Sequence, residues 1–258
     1  MMRASPWRID EHLARLEAPQ SRAEIDLFNP AGGMKVRAAR GENIVGARIF
    51  AIGLSSASDS QSSNVEFFAR GNDLIAIHWE RPDSPFRAQI YWRWIPSVQA
   101  FKQCDNGQDI DALELILSIQ TSLLDSDPAL EVATALDAKG AGQLTEVVTA
   151  HFSERSASLG GSGLDAESGL GCFQFELAAG KLKYLEMVHP ADFRNSRLSA
   201  VASPPGLRLS HRLFAERLEK GVILRSRLRS FFVPKDCPTT AIVSAYEEFA
   251  DSEPPLTV

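Results

Sequence analysis

Leu113, Leu115, Leu117, Ile119, Thr121 and Leu123 alternate with Glu114, Ile116, Ser118, Gln120 and Ser122. Apolar residues at every second position predict a strand with one buried face and one mostly polar face. The turn Asp125-Ser126-Asp127-Pro128 ends it. Asp73–Glu80 and Gln89–Ile95 are rich in β-branched and aromatic residues and form a candidate antiparallel pair, with Pro82 and Pro85 between them. Phe173–Leu177 and Leu182–Val188 flank Ala178-Ala179-Gly180-Lys181, which reads as a hairpin. Met34–Arg40, Ile44–Leu54 and Val222–Val233 complete the predicted strands.

Few segments read as helix. Ser210 is a good N-cap for His211–Lys220, with Leu213, Phe214 and Leu218 on one face and Gly221 as the stop. Pro238 opens a second helix running to about Ala250, with Ile242, Val243, Tyr246 and Phe249 as its apolar side. Ile9–Leu16 is a third, shorter candidate. Ser55–Ser63 and the glycine- and serine-rich stretch 153–171 read as loops. The pattern predicts a mainly β protein: an antiparallel β-sandwich or supersandwich with two helices near the C-terminus. It forms a single β-rich domain over residues 1–258, or two β halves divided near 153–171. Phe68–Arg87 can be laid on Leu177–Arg194, with Gly71 meeting Gly180 and Pro82 meeting Pro190. A duplicated sheet would produce that match, and so would turn-strand-proline patterns recurring by chance.

Composition narrows the chemistry. At 258 residues and 44% hydrophobic, the chain is long enough to build a core without staples. A net charge of −6 disfavours nucleic acid as a partner, because that binding begins with phosphate neutralisation. The charge is uneven. Asp105–Glu146 holds nine acidic residues and one lysine, whereas Leu207–Lys235 holds eight Lys/Arg and two Glu. The simplest expectation is that these regions face each other or solvate separate faces. No apolar run reaches the ~18 residues of a membrane span, so the expectation is a soluble cytoplasmic protein. Cys104, Cys172 and Cys237 lack zinc-ligand spacing and are expected as free thiols.

Sequence motifs point to no cofactor. Gly161-Ser162-Gly163-Leu164-Asp165-Ala166 matches a dinucleotide fingerprint in letters, but a polar segment precedes it where a strand is needed. Asp105–Asp111 lacks the glycine and glutamate of a calcium loop. The expectation is no cofactor and no metal. Two constellations stay in view. His78 and Glu80 project from one face of a strand, where they could be an acid/base pair or an ordinary surface pair. Arg225, Arg227 and Arg229 also share a strand face, roughly 6.6–7 Å apart. They could hold carboxylates or phosphates bidentately, or simply form a charged face balanced by neighbours. Trp92 and Trp94 share a face with Ile90 and favour core packing over sugar stacking.

Gln89-Ile90-Tyr91-Trp92-Arg93, Leu218-Glu219-Lys220-Gly221-Val222-Ile223-Leu224-Arg225 and Ser252-Glu253-Pro254-Pro255-Leu256-Thr257 resemble an uncharacterised family of bacterial proteins of about this size. No activity is known for that family, so the resemblance implies no site residues. Many strands and few helices also resemble, at the level of fold, the supersandwich of the aldose epimerases, a class that uses histidines and a glutamate in an open β cleft. Two functional expectations follow. The first is a non-catalytic protein that recognises a carbohydrate or anionic ligand on a sheet face through Arg225, Arg227 and Arg229. The alternative is a carbohydrate isomerase using His78 and Glu80. The sequence leaves the oligomeric state open.

Overall fold

The computed structural model describes residues 5–54, 65–82, 84–102, 104, 109–137, 144–148, 153–157, 164–165, 171–178, 180–202, 205–214 and 216–253. The chain begins as a meander of β1 (Trp7–Asp10), β2 (Leu13–Glu17), β3 (Ser21–Asp26), β4 (Met34–Ala39), a short β5 (Glu42–Asn43) and β6 (Arg48–Ile52). It then crosses to a second layer with β7 (Val65–Arg70), β8 (Asp73–His78), β9 (Phe86–Ile95) and β10 (Ala112–Thr121). β11 (Glu131–Leu136) returns to the first layer, and β12 (Leu144–Val148), β13 (Ser153–Ala157), β15 (Cys172–Glu176) and β16 (Leu182–Val188) extend the second. β14 (Leu164–Asp165), β17 (Asn195–Ala202) and β18 (Pro205–Arg212) close the first layer, and β19 (Leu224–Pro234) runs through the middle of the second. α1 (Thr239–Ala250) follows.

The layers are a ten-stranded sheet and a nine-stranded sheet, and every pairing between these strands is antiparallel. Their inner faces meet in one apolar core, to which Leu115 and Leu117 of β10, Trp92 of β9 and Leu209 of β18 contribute. A second cluster lies on the outer face of the nine-stranded sheet. There Leu185, Met187, Phe231 and Val233 pack under Ile242, Val243, Tyr246 and Phe249 of α1. On the outer face of β10, Ala112 joins this cluster, Ile116 packs with Ile75 and Tyr91, and Glu114 is buried beside Arg93 and Arg229, so the strand is buried on both faces where alternation alone predicted one polar side.

The predicted strands are present, and β8 and β9 pair as expected, with His78 opposite Ala88. Leu182–Val188 pairs with Cys172–Glu176, and Gly180 takes a positive φ of 75° in the turn between them. That left-handed conformation is what the glycine permits. The second predicted helix is observed with the buried side anticipated for it.

The two other helix readings are overturned. His211 lies in strand β18, which runs on to Arg212, and Leu213–Lys220 carries no helix among the described residues. Leu207, Leu209 and His211 alternate into the core, and the strand period outweighs the helical spacing of Leu213, Phe214 and Leu218. Ile9–Leu16 instead forms parts of β1 and β2, joined at Glu11, whose φ is 54°. Among the described residues, one α-helix near the C-terminus therefore stands where two were expected. The serine-rich 55–63 segment lies outside the described residues. So does most of 153–171, including 161–163 and Ala166 of the glycine motif, but Ser153–Ala157 and Leu164–Asp165 pair as strands β13 and β14 where a loop was expected; 105–108 of the acidic turn also lie outside the described residues.

Three ion pairs join the acidic and the basic regions. Arg229 of β19 pairs with Glu114 of β10, Arg208 of β18 with Glu131 of β11, and Arg217 with Asp125.

Candidate functional site on the outer face of the nine-stranded sheet

Antiparallel register arranges the outward residues of β8, β9, β10 and β19 in rows. One row runs Asp73, Arg93, Glu114, Arg229. Arg93 donates to Asp73 through Nε at 2.7 Å and Nη2 at 2.9 Å, and its Nη1 lies 3.8 Å from Glu114. Arg229 donates to Glu114 Oε2 through Nε at 2.9 Å and Nη2 at 2.6 Å. The Glu114 carboxylate is buried between the two guanidinium groups, and hydrogen bonding to Asp73 raises the pKa of Arg93. Arg229 is also sandwiched against Phe249 of α1, with its guanidinium carbon 4.5 Å from the ring centre.

Arg227 lies one row along and is committed to the end of α1. It donates to Ser252 Oγ at 3.1 Å, to the Ser252 carbonyl at 2.9 Å and to the Glu253 carbonyl at 3.2 Å. Ser252 and Glu253 follow the C-cap residue Asp251, so Arg227 ties the chain just past the helix to β19, close to the negative end of the helix dipole.

Arg225 lies beyond the helix. Its Nε donates to Ser118 Oγ at 3.1 Å. Together with Arg87, Gln89, Ser118, Gln120 and Ile223 it lines a cavity of about 270 Å³. Arg87 lies over the ring of Trp79, 4.2 Å from its centre. The Arg87 Nε is buried without a hydrogen-bond partner among the described residues. On its other side Arg225 lines a smaller cavity of about 60 Å³ with Asp192, Arg194, Glu216 and Ser226. Burial pushes the Asp192 carboxyl up to about 6, against a backbone hydrogen bond from Arg227 that acts the other way.

The three arginines predicted to share a face do share it, but the fold gives them different surroundings. Arg229 is neutralised by a carboxylate, Arg227 holds the helix terminus, and Arg225 lines the two cavities. Trp92 is wholly buried in the core, and Trp94 donates to Asp111 at 2.9 Å.

His78 and Glu80 are not brought together. His78 is 6% exposed and faces the sandwich interior alongside Leu74 and Ala76, and its Nε2 makes no hydrogen bond among the described residues. Glu80 lies past the end of the strand and accepts from Ser122 at 2.6 Å. Burial, aided by the Arg81 charge, lowers the His78 pKa to about 4.

That shift sets a pH expectation. The folded state keeps His78 neutral, so its stability is fully present above pH 6.5 and falls as the pH drops toward 4. Asp192 opposes this, because its raised pKa costs stability as the pH rises from 3.8 to about 6. Replacing His78→Leu therefore makes the variant gain on the parent by up to roughly 3 kcal/mol between pH 7 and pH 4. Urea denaturation at a series of pH values checks this, and a pH-independent difference would reject it.

Sequence reading missed a polar network inside the core. Glu186 of β16 accepts from Thr134 Oγ1 at 2.6 Å and from the Tyr184 hydroxyl, and its other oxygen lies 2.6 Å from His211 Nε2. His211 Nδ1 is 2.7 Å from Ser196 Oγ. Glu186, His211, Tyr184 and Thr134 are wholly buried. The network ties β11, β17 and β18 of one sheet to β16 of the other. The available signal was a glutamate on the core-facing period of an otherwise apolar strand, between Tyr184 and Val188.

Two further cavities have different characters. One of about 430 Å³ is lined mostly by apolar groups, including Ile44, Val45, Leu136 and Leu207, with Lys35, Arg37 and Arg48 at its rim. Lys35 and Arg37 pair with Glu24, and Arg48 donates to the Gly32 carbonyl. The other is open, about 600 Å³, beside Asp73, Arg93 and Trp94. None of these four cavities is lined by His78 or Glu80. Among the described residues, no group of three or more His, Cys, Asp or Glu could hold a metal ion. No described helix is long and apolar enough to cross a membrane.

Neither a protein-family profile nor a curated protein matches the sequence. The fold itself is shared with solved structures. The chain is similar to the Slr1438 protein of Synechocystis sp. PCC 6803, with 10% identity and a TM-score of 0.52 over 84% of this chain and 93% of that one. It is also similar to a TPR-domain containing protein from Parabacteroides distasonis, with 8% identity and a TM-score of 0.50 over 88% of this chain and 47% of that one. A galactose mutarotase-like protein from Lactobacillus casei matches at 8% identity and a TM-score of 0.47 over 85% of this chain and 99% of that one. At such identities the first two show a common fold and nothing of chemistry, and the third adds no weight to either.

Proposed function

We propose that this chain is a binding protein for a small anion-bearing carbohydrate, held without chemistry at the cavity between Arg87 and Arg225. One observation carries the reading. Two guanidinium groups, the amides of Gln89 and Gln120 and the Ser118 hydroxyl surround one cavity of about 270 Å³. Ligand sites join a confined volume to a few convergent polar groups, and guanidinium groups suit carboxylate or phosphate oxygens in particular. The amides and hydroxyl offer both donors and acceptors, as a sugar's hydroxyls require. Trp79, beside Arg87, supplies an aromatic surface at the rim. The 430 Å³ cavity is a weaker candidate, because its walls are mostly apolar.

A thermal-shift screen against neutral sugars, sugar acids and sugar phosphates tests the reading. A ligand at 100 times its Kd stabilises by roughly 2.7 kcal/mol. The expected result is a rise of several degrees for anionic sugars and none for their neutral counterparts. An equal response to both, or to neither, would overturn it.

A catalytic reading has one observation in its favour, and that observation is not His78 or Glu80. Asp192, with its carboxyl pushed up to about 6, lies in the cavity adjoining Arg225, where it could move a proton near neutrality. Under this isomerase reading, Asp192→Asn would abolish turnover of a bound sugar while leaving its affinity intact. Under the binding reading there is no turnover to lose.

A further inference from the structure

Cys104 and Cys237 are 133 residues apart in sequence, yet their sulfurs lie 3.0 Å apart. Cys104 is half-buried in the turn after a single 3₁₀ turn at Gln99–Phe101, and its N–H donates to the Phe101 carbonyl at 2.9 Å. Cys237 is buried just before Pro238, and its N–H donates to the Pro234 carbonyl at 3.0 Å. Both pack in the apolar cluster beneath α1. Two anchored backbones therefore present their thiols to each other at the N-terminal end of the helix. A disulfide needs its sulfurs about 2.05 Å apart, so closure asks for a movement of roughly 1 Å.

We propose that Cys104 and Cys237 are a redox-active dithiol, an oxidation site that closes to a disulfide with a hydroperoxide as oxidant. The half-exposed Cys104 sulfur takes the terminal peroxide oxygen as the O–O bond breaks, giving a sulfenic acid and releasing an alcohol, or water from hydrogen peroxide. The Cys237 sulfur then attacks the Cys104 sulfur. The S–S bond forms, the S–O bond breaks, and the hydroxyl leaves as water with the Cys237 proton. Two thiols are oxidised by two electrons in all and one peroxide is reduced by two; a dithiol reductant restores the two protein thiols by exchange and is itself oxidised to its disulfide. Burial raises the Cys237 thiol pKa, so Cys237 rests as a protonated thiol, and the order of the two steps follows from access: Cys104 is the less buried sulfur and meets the peroxide first.

The bond would fix the start of α1 to the 99–104 segment. Arg227 already holds the other end of the helix. Oxidation would thus lock in place the cover over Arg227 and Arg229.

The test takes the full chain, reduced with dithiothreitol and then treated with hydrogen peroxide. Free thiols are expected to fall from three to one, with a mass loss of two hydrogens. Peptide mapping should join Cys104 to Cys237. The oxidised protein should melt roughly 5–10 °C above the reduced one and return on reduction. Cys172→Ser should keep the cross-link and Cys104→Ser should abolish it. Three free thiols after treatment, oxidation of Cys104 to a sulfinic acid with Cys237 still free, or a bridge through Cys172 or between chains would each overturn the proposal. The wild-type thiol count and map decide the matter even if a serine variant fails to fold.

Discussion

Replacing Glu186→Ala is expected to cost about 3–5 kcal/mol of stability, enough to lower the melting point by roughly 10–15 °C. The side chain is wholly buried and is the common acceptor for Thr134, Tyr184 and His211. Removing it leaves buried donors without partners on both sheets at once, and each unpaired donor keeps its full desolvation penalty. Burial and the neighbouring Glu186 charge together raise the Tyr184 hydroxyl pKa well above its ordinary value, so Tyr184 stays protonated and needs its acceptor. Glu186→Gln should cost less, since an amide oxygen still accepts from Thr134 and Tyr184. Chemical denaturation of the two variants checks the order. Equal and small losses for both would show that the network does not hold the sheets together.

The second large effect is expected at Glu114. Glu114→Ala should also cost about 3–5 kcal/mol, because it strips the carboxylate from between Arg93 and Arg229. Arg229 is 8% exposed and pressed against Phe249, so it cannot turn to water without disturbing α1. Replacing both partners, Glu114→Met with Arg229→Met, should recover most of the loss. A buried ion pair exchanged for apolar side chains of similar size is often neutral. A double variant as unstable as the single one would mean that the loss at Glu114 comes from packing and not from charge.

These expectations show what the sequence could and could not reveal. Strand periodicity at Leu113–Leu123 and Leu182–Val188 is local, and the fold preserves it. The helix at Thr239–Ala250 was legible for the same reason, with a proline start and an apolar stripe. His211–Lys220 misled because a serine cap and spaced leucines fit a helix locally, while the pairing of β18 with β11 and β17 is a tertiary fact. The arginine row was legible as a shared face, since period two fixes it. Its division was not. Only the return of α1 across β19 separates Arg227 and Arg229 from Arg225, and nothing near those residues in sequence records that return. Arg87 and Gln120 reach Arg225 through the pairings of β9, β10 and β19, and Glu186 meets His211 only across the sandwich. Non-local assembly of this kind leaves no spacing signal in the chain.

The division of the arginine row is also where the account is most exposed. The most direct measurement is calorimetric titration of an anionic sugar found by the thermal-shift screen into Arg225→Gln and Arg227→Gln, with the stability of each variant recorded alongside. The account predicts that Arg225→Gln loses affinity at least about tenfold, the equivalent of one charge-assisted hydrogen bond, and melts near the parent. It predicts that Arg227→Gln melts well below the parent and binds with nearly unchanged affinity at a temperature where it is folded. Full affinity in Arg225→Gln, or a loss of binding in folded Arg227→Gln as large as in Arg225→Gln, would contradict it.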